Sequence, residues 1–297
     1  RTQASGGGDI NYGIYTLFLQ SYSDGPAFVK GLREAGGWAA VNAVYERPPA
    51  STEQTIHPDR YPDERPENVS IADTSSDAWR VPEPANDTAR YGRLGEAGVY
   101  VMFLYPALAS GGAVRPEMAQ HFYNAPPSQL QGTIDPYNYS DPASEGWAGD
   151  RLLPYVTDDS AATNETGYVW KLRWDSDRDA KQFVEDYHWL LDYRGAAAVD
   201  GRADTYRIPD GKQFGDAFYV NRSGDVVTIV NAPTVDQLSA VHEGAAPAGQ
   251  ADADDGQAEE TTPTSTDESD GGVGPGFGVV TVLVALAALL VVAGHRR

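Results

Sequence analysis

The C-terminal end of the chain cannot belong to a folded core. Residues 245–272 hold eight acids and no base among Pro, Gly, Ser and Thr, and this composition cannot bury enough apolar surface to fold. The seventeen uncharged residues 277–293 are apolar on every helical face, which favours a short membrane helix over a buried core helix. The sequence therefore confines the globular part to residues before 245.

The basic end of the chain predicts its orientation. His295, Arg296 and Arg297 follow the uncharged run, and positive residues beside a span remain on the cytoplasmic side. We therefore expect everything before residue 277 to lie outside the cell. Export would then require a leader upstream of Arg1.

The junction before the span has a recognisable motif. Pro275-Gly276-Phe277, with the acidic Thr-rich spacer before it and the apolar run and basic end after it, resembles the PGF-CTERM sorting tail of haloarchaeal surface proteins. The resemblance implies processing by an archaeosortase, removal of the span and attachment of a lipid. It also implies a secreted protein at the cell surface, with the membrane and the S-layer as partners.

The charge balance agrees with a halophilic origin and excludes one class of partner. The chain has 43 acidic and 22 basic side chains and a net charge of −21. An acidic surface stays soluble in high salt, where charge repulsion is screened. Because the sequence has no basic patch that could bind phosphate groups, nucleic acid is excluded as a partner.

Five glycosylation sequons support display outside the cell. They use five of the nine asparagines, and each is predicted in a loop or turn where a glycan could be accommodated. The candidate acceptors are Asn68, Asn86, Asn138, Asn164 and Asn221.

The body divides into two parts with different periodicities. Residues 1–115 have apolar residues at helical spacing, with helix ends predicted at Gly36-Gly37 and near Pro106. The predicted division is a helical, peptidase-like domain 1–115, an irregular connection 116–148, an α/β sandwich domain 149–244, an acidic disordered linker 245–274, and the sorting signal with its transmembrane segment 275–297.

The second part of the body predicts alternating strands and helices. Residues 168–174 alternate apolar and polar side chains as in a half-buried strand, and a helical stripe from Ala180 to Leu191 follows. Two more strands are joined by a turn at Asn221–Gly224, and Thr234 caps a last helix. The order β-β-α-β-β-α favours a ferredoxin-like sandwich, and the fold class is α+β.

Catalytic motifs are scarce. There is no H-E-x-x-H, G-x-S-x-G, Walker loop or G-x-G-x-x-G. Asp175, Asp177 and Asp179 have the spacing of a calcium loop, but Ala180 stands where the turn needs Gly. A helix N-terminus capped by Asp175 or Ser176 explains these acids better. We expect no cofactor.

Glu53 and His57 are the only nearby pair with ligand-like spacing. They are four residues apart and could face one ligand, but two residues do not make a metal site. Pro58 also makes a continuing helix there unfavourable. The sequence therefore predicts no metal.

The body also resembles a family of secreted prokaryotic proteins with a metallopeptidase-like helical domain. The resemblance covers most of residues 25–242. It rests on Phe28-Val29 through His57-Pro58 and Tyr61, Leu94-Gly95-Glu96, Gly146–Arg151, Gly167–Trp170 and Asn231–Thr234. Members can carry an H-E-x-x-H zinc helix upstream of this region. This chain lacks that motif, so no catalytic residue transfers from the resemblance.

Three functional hypotheses remain open. The first is a cell-surface protein anchored to the outer face of the membrane or S-layer and non-catalytic as given. The second is the C-terminal part of a secreted zinc metallopeptidase whose H-E-x-x-H lies upstream of Arg1. The third is a binding or adhesion module whose contact surface is the aromatic-rich α/β domain.

Overall fold

The structure is a computed structural model that describes residues 11–76, 78–84 and 89–249. These residues form two compact units. The helical unit comprises residues 11–65 and 96–144, and the sheet unit comprises 66–95 and 145–249. The sorting motif, most of the acidic tract and the apolar run 277–293 lie outside the described residues. No helix in the described ranges is both long and apolar enough to cross a membrane.

The helical unit is built from four α-helices and one 3₁₀ turn. Their bounds are α1 Tyr12–Ala43, α2 Glu53–Ile56, α3 Gly95–Ala109, α4 Pro116–His121 and the 3₁₀ turn Pro127–Gln129. The last two fall within residues 116–148, for which the sequence predicted an irregular connection.

Glycine and proline have different effects on the two long helices of this unit. Helix α1 contains Pro26 in its interior, whereas Gly36 and Gly37 leave helical geometry, with Gly37 at φ 64°, so the helix break predicted at these glycines is confirmed. A left-handed φ suits Gly because it has no Cβ. Helix α3 includes Pro106 and ends three residues later at Ala109, close to the predicted stop. Ten of its fifteen residues are buried, and this packing offsets the hydrogen bond that proline removes.

The sheet unit contains six strands and three helices. Their bounds are β1 Trp147–Tyr155, α5 Ser160–Thr163, β2 Gly167–Trp174, α6 Asp177–Tyr193, β3 Ala197–Ala198, β4 Thr205–Arg207, β5 Ala217–Ser223, β6 Val226–Ala232 and α7 Val235–Val241. The strands form one antiparallel sheet in the order β1-β2-β6-β5-β4-β3. The α+β class is therefore confirmed.

The two longest helices of the sheet unit, α6 and α7, lie on opposite faces of the sheet. Phe183 of α6 packs against Trp170 and Trp174 on one face. Leu238 of α7 packs with Val169 on the other face, because successive strand residues point to opposite sides. A ferredoxin-like sandwich has both helices on one face, so the unit is a three-layer arrangement instead.

Chain segment 66–95 also belongs to the sheet unit. It forms isolated bridges from Arg80 to Val156 and from Gly92 to Leu152. The buried Asp150 carboxylate accepts hydrogen bonds from the Leu94 and Gly95 amides at 2.8 and 3.0 Å. This segment therefore covers strand β1, although the sequence assigned it to the helical domain.

Candidate functional site: a buried carboxylate and imidazole cluster

Helix α1 buries four polar side chains beside a single large apolar one, Phe28. Thr16, Gln20, Ser23 and Asp24 are each at most 4% exposed, and they lie three or four residues apart on one face. Buried polar groups are costly unless they are hydrogen-bonded. The inner side of α1 therefore marks a polar centre in the helical unit.

These polar residues bond to parts of the unit that are distant in sequence. The Gln20 amide nitrogen donates to Asp24 Oδ2 at 3.0 Å and to Thr55 Oγ1 at 2.8 Å. Ser23 Oγ donates to Asp135 Oδ1 at 2.7 Å. The polar face of α1 thus joins helix α2 to the loop that follows the 3₁₀ turn.

Helix α2 contributes a second buried carboxyl. Glu53 is 1% exposed, and its Oε1 accepts from Arg60 Nη1, which also lies 3.3 Å from Glu64 Oε1. Gln54 is fully buried, and its Oε1 accepts from the Ala50 amide at 2.7 Å. The side-chain contacts of Glu53 and Gln54 therefore fix the position of helix α2.

The third buried carboxyl meets the imidazole. Glu96, in the first turn of α3, is fully buried, and its Oε1 lies 2.9 Å from His57 Nε2. The His57 side chain is 17% exposed. The Ala97 amide donates to Thr52 Oγ1 at 3.2 Å, which ties the same helix start to the segment before α2.

The environment raises the pKa of two of these carboxyls. Burial, the charge of Asp135 and that of Glu96 raise the pKa of Asp24 to about 8. Burial and the charge of Glu96 raise the pKa of Glu53 to about 8, although the Arg60 guanidinium opposes the shift. At neutral pH the cluster therefore retains protons that these carboxyls would release in water.

This arrangement can hold and exchange protons, because a carboxylate fixes the tautomer and orientation of the imidazole it contacts. The structure also describes the geometry of Glu53 and His57, the pair that the sequence singled out by its spacing. His57 follows α2 with non-helical φ −118° and ψ 82°, so Glu53 and His57 do not share a helix face. Within the described part of the helical unit, no three acidic or histidine side chains bring ligand atoms within 4.8 Å of one another.

The other predicted sites have mixed outcomes. The predicted N-cap at Ser176 is confirmed, since Ser176 Oγ accepts from the Asp179 amide. Asn68 and Asn164 are exposed, and Asn138 is half-buried with Nδ2 2.8 Å from His121 Nε2. Asn221 lies on strand β5 opposite Thr228 rather than in a turn, because the hairpin turn comprises only residues 224 and 225. Asn86 is outside the described residues.

Four large aromatic residues of the sheet unit lie in its core. Trp147, Trp170, Trp174 and Phe183 are at most 1% exposed, because they form the core between α6 and the sheet. These four rings therefore do not supply the contact surface of the third hypothesis, whereas Tyr193 in the same unit is 40% exposed. Exposed aromatic side chains are also found along α1, where Tyr22 is 78% exposed.

Sequence reasoning missed Asp24, Glu96 and Gln20. A signal existed for α1, because polar residues at 16, 20, 23 and 24 recur at helical spacing opposite its aromatic residues. For Glu96 there was none, since a first-turn acid is ordinarily explained by the helix dipole.

Fold and cluster together define an α+β protein whose helical unit is built around buried carboxyl groups and an imidazole. Residues 79–242 match a family described as a domain of unknown function (DUF8575). Because this match covers more than half of the 297 residues, the chain belongs to that family. The match includes Glu96 but not Asp24, Glu53 or His57. No curated protein and no solved structure matches the chain.

Proposed function

We propose that this chain is a cell-surface protein of a halophilic archaeon, held at the outer face of the membrane by its C-terminus and non-catalytic as given. The observation that carries the proposal is the order of the C-terminal elements. An acidic spacer, Pro275-Gly276-Phe277, seventeen uncharged residues and a basic end follow one another without interruption. Each of them has a physical role in export and anchoring.

Two features of the body support display outside the cell. Asn68 and Asn164 are exposed sequon asparagines in the sheet unit. The chain also carries a net charge of −21, which suits a surface in contact with concentrated salt. The proposal includes a transmembrane helix at the C-terminus of the precursor and its removal in the sorting step.

The test is the intact mass of protein extracted from native membranes. Sorting predicts a product that lacks the residues after the motif and carries a lipid. A Phe277→Ala variant should retain the full C-terminus, and Val273→Ala is the matched control outside the motif. A wild-type mass that includes residues 277–297 would contradict sorting, and wild-type protein absent from the membrane fraction would contradict anchoring altogether.

A second candidate function is favoured by the buried cluster. We infer that the helical unit is compatible with a part of a secreted zinc metallopeptidase whose H-E-x-x-H lies upstream of Arg1. Burying Asp24, Glu53 and Glu96 costs free energy of folding, and perturbed ionisable groups concentrate at functional sites. The Glu96–His57 pair is the kind of oriented imidazole that such a site uses.

The second candidate is tested on a chain extended upstream to include that motif. Zinc content and peptide cleavage are measured in molar salt for the wild type, His57→Ala and the control His121→Ala. The peptidase hypothesis expects stoichiometric zinc, with cleavage reduced by His57→Ala but not by His121→Ala. No zinc and no cleavage in the extended wild type would contradict it and would leave the anchored surface protein unaffected.

A further inference from the structure

The outward side of helix α1 is apolar, and none of the residues that the structure describes covers it. We define the aromatic face as Tyr15, Phe18, Tyr22, Pro26 and Val29, all of which are exposed. These positions are separated by three, four, four and three residues, so they form one stripe along the helix. Such a stripe ordinarily faces a core or a partner.

The side of helix α1 opposite the stripe is mostly polar and is the side that the monomer buries. Thr16, Gln20, Ser23 and Asp24 face inwards and are buried. Apart from Phe28, which is also buried, helix α1 therefore has polar side chains inside and aromatic side chains outside. Removing apolar surface from water is favourable, so a second apolar surface that covered the stripe would lower the free energy of the protein.

The electrostatics of the stripe also favour a protein partner. Between Tyr12 and Arg33 the only acid is Asp24, which is 4% exposed. A chain with 43 acids thus has a long helical surface free of exposed negative charge. Two such surfaces can approach each other without the repulsion that the rest of the molecule would generate.

The spacing of the aromatic face is symmetrical about Tyr22. In an antiparallel pair of α1 helices with Tyr22 at the twofold axis, Tyr15 lies opposite Val29 and Phe18 lies opposite Pro26. Tyr15 and Phe18 then each meet a smaller side chain, and Tyr22 meets Tyr22 of the second copy. A twofold interface requires this kind of self-complementarity, since one patch must fit itself.

The basic residues near the stripe fit the same register. In the antiparallel pair, Lys30 lies opposite Ile14 and Arg33 lies opposite Asn11, so no like charges meet. In a parallel pair, Lys30 would face Lys30, which is unfavourable. Gly25, beside the stripe, has no atom within 4 Å of the position a Cβ would take, so the described residues leave this flank of the stripe open.

We propose that the aromatic face of α1 binds a second copy of this chain, as an antiparallel twofold pair of helices centred on Tyr22. The contact would join two protein molecules at the cell surface. It is independent of the anchoring mechanism and of any catalytic role.

The absence of cysteine allows a direct test of this pairing. Tyr22→Cys and the control Tyr45→Cys are displayed as full chains on cells, oxidised, and analysed on non-reducing gels. Tyr22 and Tyr45 are 78% and 87% exposed, so neither change removes core packing. We expect a covalent dimer for Tyr22→Cys and monomer for Tyr45→Cys.

The register is tested with two further variants. Phe18→Cys and Pro26→Cys are expressed alone and together, with different tags. The antiparallel pair predicts mixed disulfide dimers when both are present and few dimers when either is alone. Dimers of Phe18→Cys alone would contradict the antiparallel arrangement.

The affinity is measured by analytical ultracentrifugation of detergent-extracted full chain in molar salt. Tyr22→Arg places two like charges at the axis and should weaken dimerisation roughly tenfold or more, whereas Tyr45→Arg should not. A monomeric wild type, together with a Tyr22→Cys variant whose new thiol reacts freely with maleimide, contradicts the proposal. Protection of that thiol from maleimide in a monomeric variant indicates an intramolecular cover and also contradicts it. Monomers that bind lipid vesicles only while Tyr22 is present assign the face to the membrane instead.

Discussion

Replacing Asp24 by Asn tests whether the helical unit holds a proton on this buried carboxyl. Asn has nearly the same shape, carries no titrating proton, and keeps an oxygen that accepts from the Gln20 amide. Helix α1 and its hydrogen bonds should therefore persist. Only the pH dependence of stability should change.

The sign follows from the two pKa values of Asp24. The folded state retains the proton up to about pH 8, whereas the unfolded chain releases it near 3.8. Between these values the folded state binds more protons, so the free energy of unfolding falls as pH rises. The wild type thus loses stability from about pH 4 to about pH 8, and the Asn variant lacks this contribution.

The magnitude follows from the same shift. One carboxyl contributes about 1.4 kcal/mol per pH unit, which is about 4 kcal/mol between pH 5 and pH 8. Relaxation and water entry reduce such burial penalties, so we expect the variant to gain about 2 kcal/mol over the wild type across this interval. That gain is a large fraction of the stability of an ordinary domain.

Hydrogen exchange of peptides from α1 and α3, read by mass spectrometry in molar salt, measures the opening free energy of the helical unit alone. Comparing variant and wild type at the same pH cancels the intrinsic exchange rate. Asp63→Asn, at a side chain that is 92% exposed, is the matched control and should show no pH-dependent difference. An Asp24→Asn difference that stays constant from pH 5 to pH 8 would refute the raised pKa.

Three further predictions concern other parts of the chain. Native glycopeptides should show higher occupancy at exposed Asn164 than at Asn221, which is paired within β5; the reverse order on mass spectrometry would contradict the accessibility argument. Asp150→Ala leaves the Trp170 indole N–H and two backbone amides without their acceptor, and urea unfolding followed by tryptophan fluorescence should show a loss of about 3 kcal/mol. Phe183→Ala removes a fully buried ring between Trp170 and Trp174 and should cost about 3–5 kcal/mol in the same assay, whereas a loss below about 1 kcal/mol would indicate a loosely packed core.

Local periodicity was sufficient for much of the sheet unit. The predicted helix with its apolar stripe corresponds to α6, and four of the stripe residues, Ala180, Phe183, Tyr187 and Leu191, are buried there. The alternating residues 168–174 form most of β2. These elements were predictable because one face of each is apolar and the repeat matches the backbone geometry.

The candidate site was predictable only in part. Glu53 and His57 were singled out by their spacing, but the structure gives them different partners, Arg60 and Glu96. Glu96 is 39 residues from His57 in sequence, and no local rule relates residues so far apart. Burial of Asp24 likewise depends on what covers the inner side of α1.

The sequence by itself determined the α+β class and the helices and strands with strong repeats. Tertiary structure alone decided that α6 and α7 lie on opposite faces of the sheet and that α1 turns its polar side inwards. It also buries Ala245 and Ala246 in the core of the sheet unit, although the sequence assigned them to a disordered linker. The physical reason is that a repeat shows which side chains share a face, whereas the partner that buries that face is chosen by contacts between distant segments.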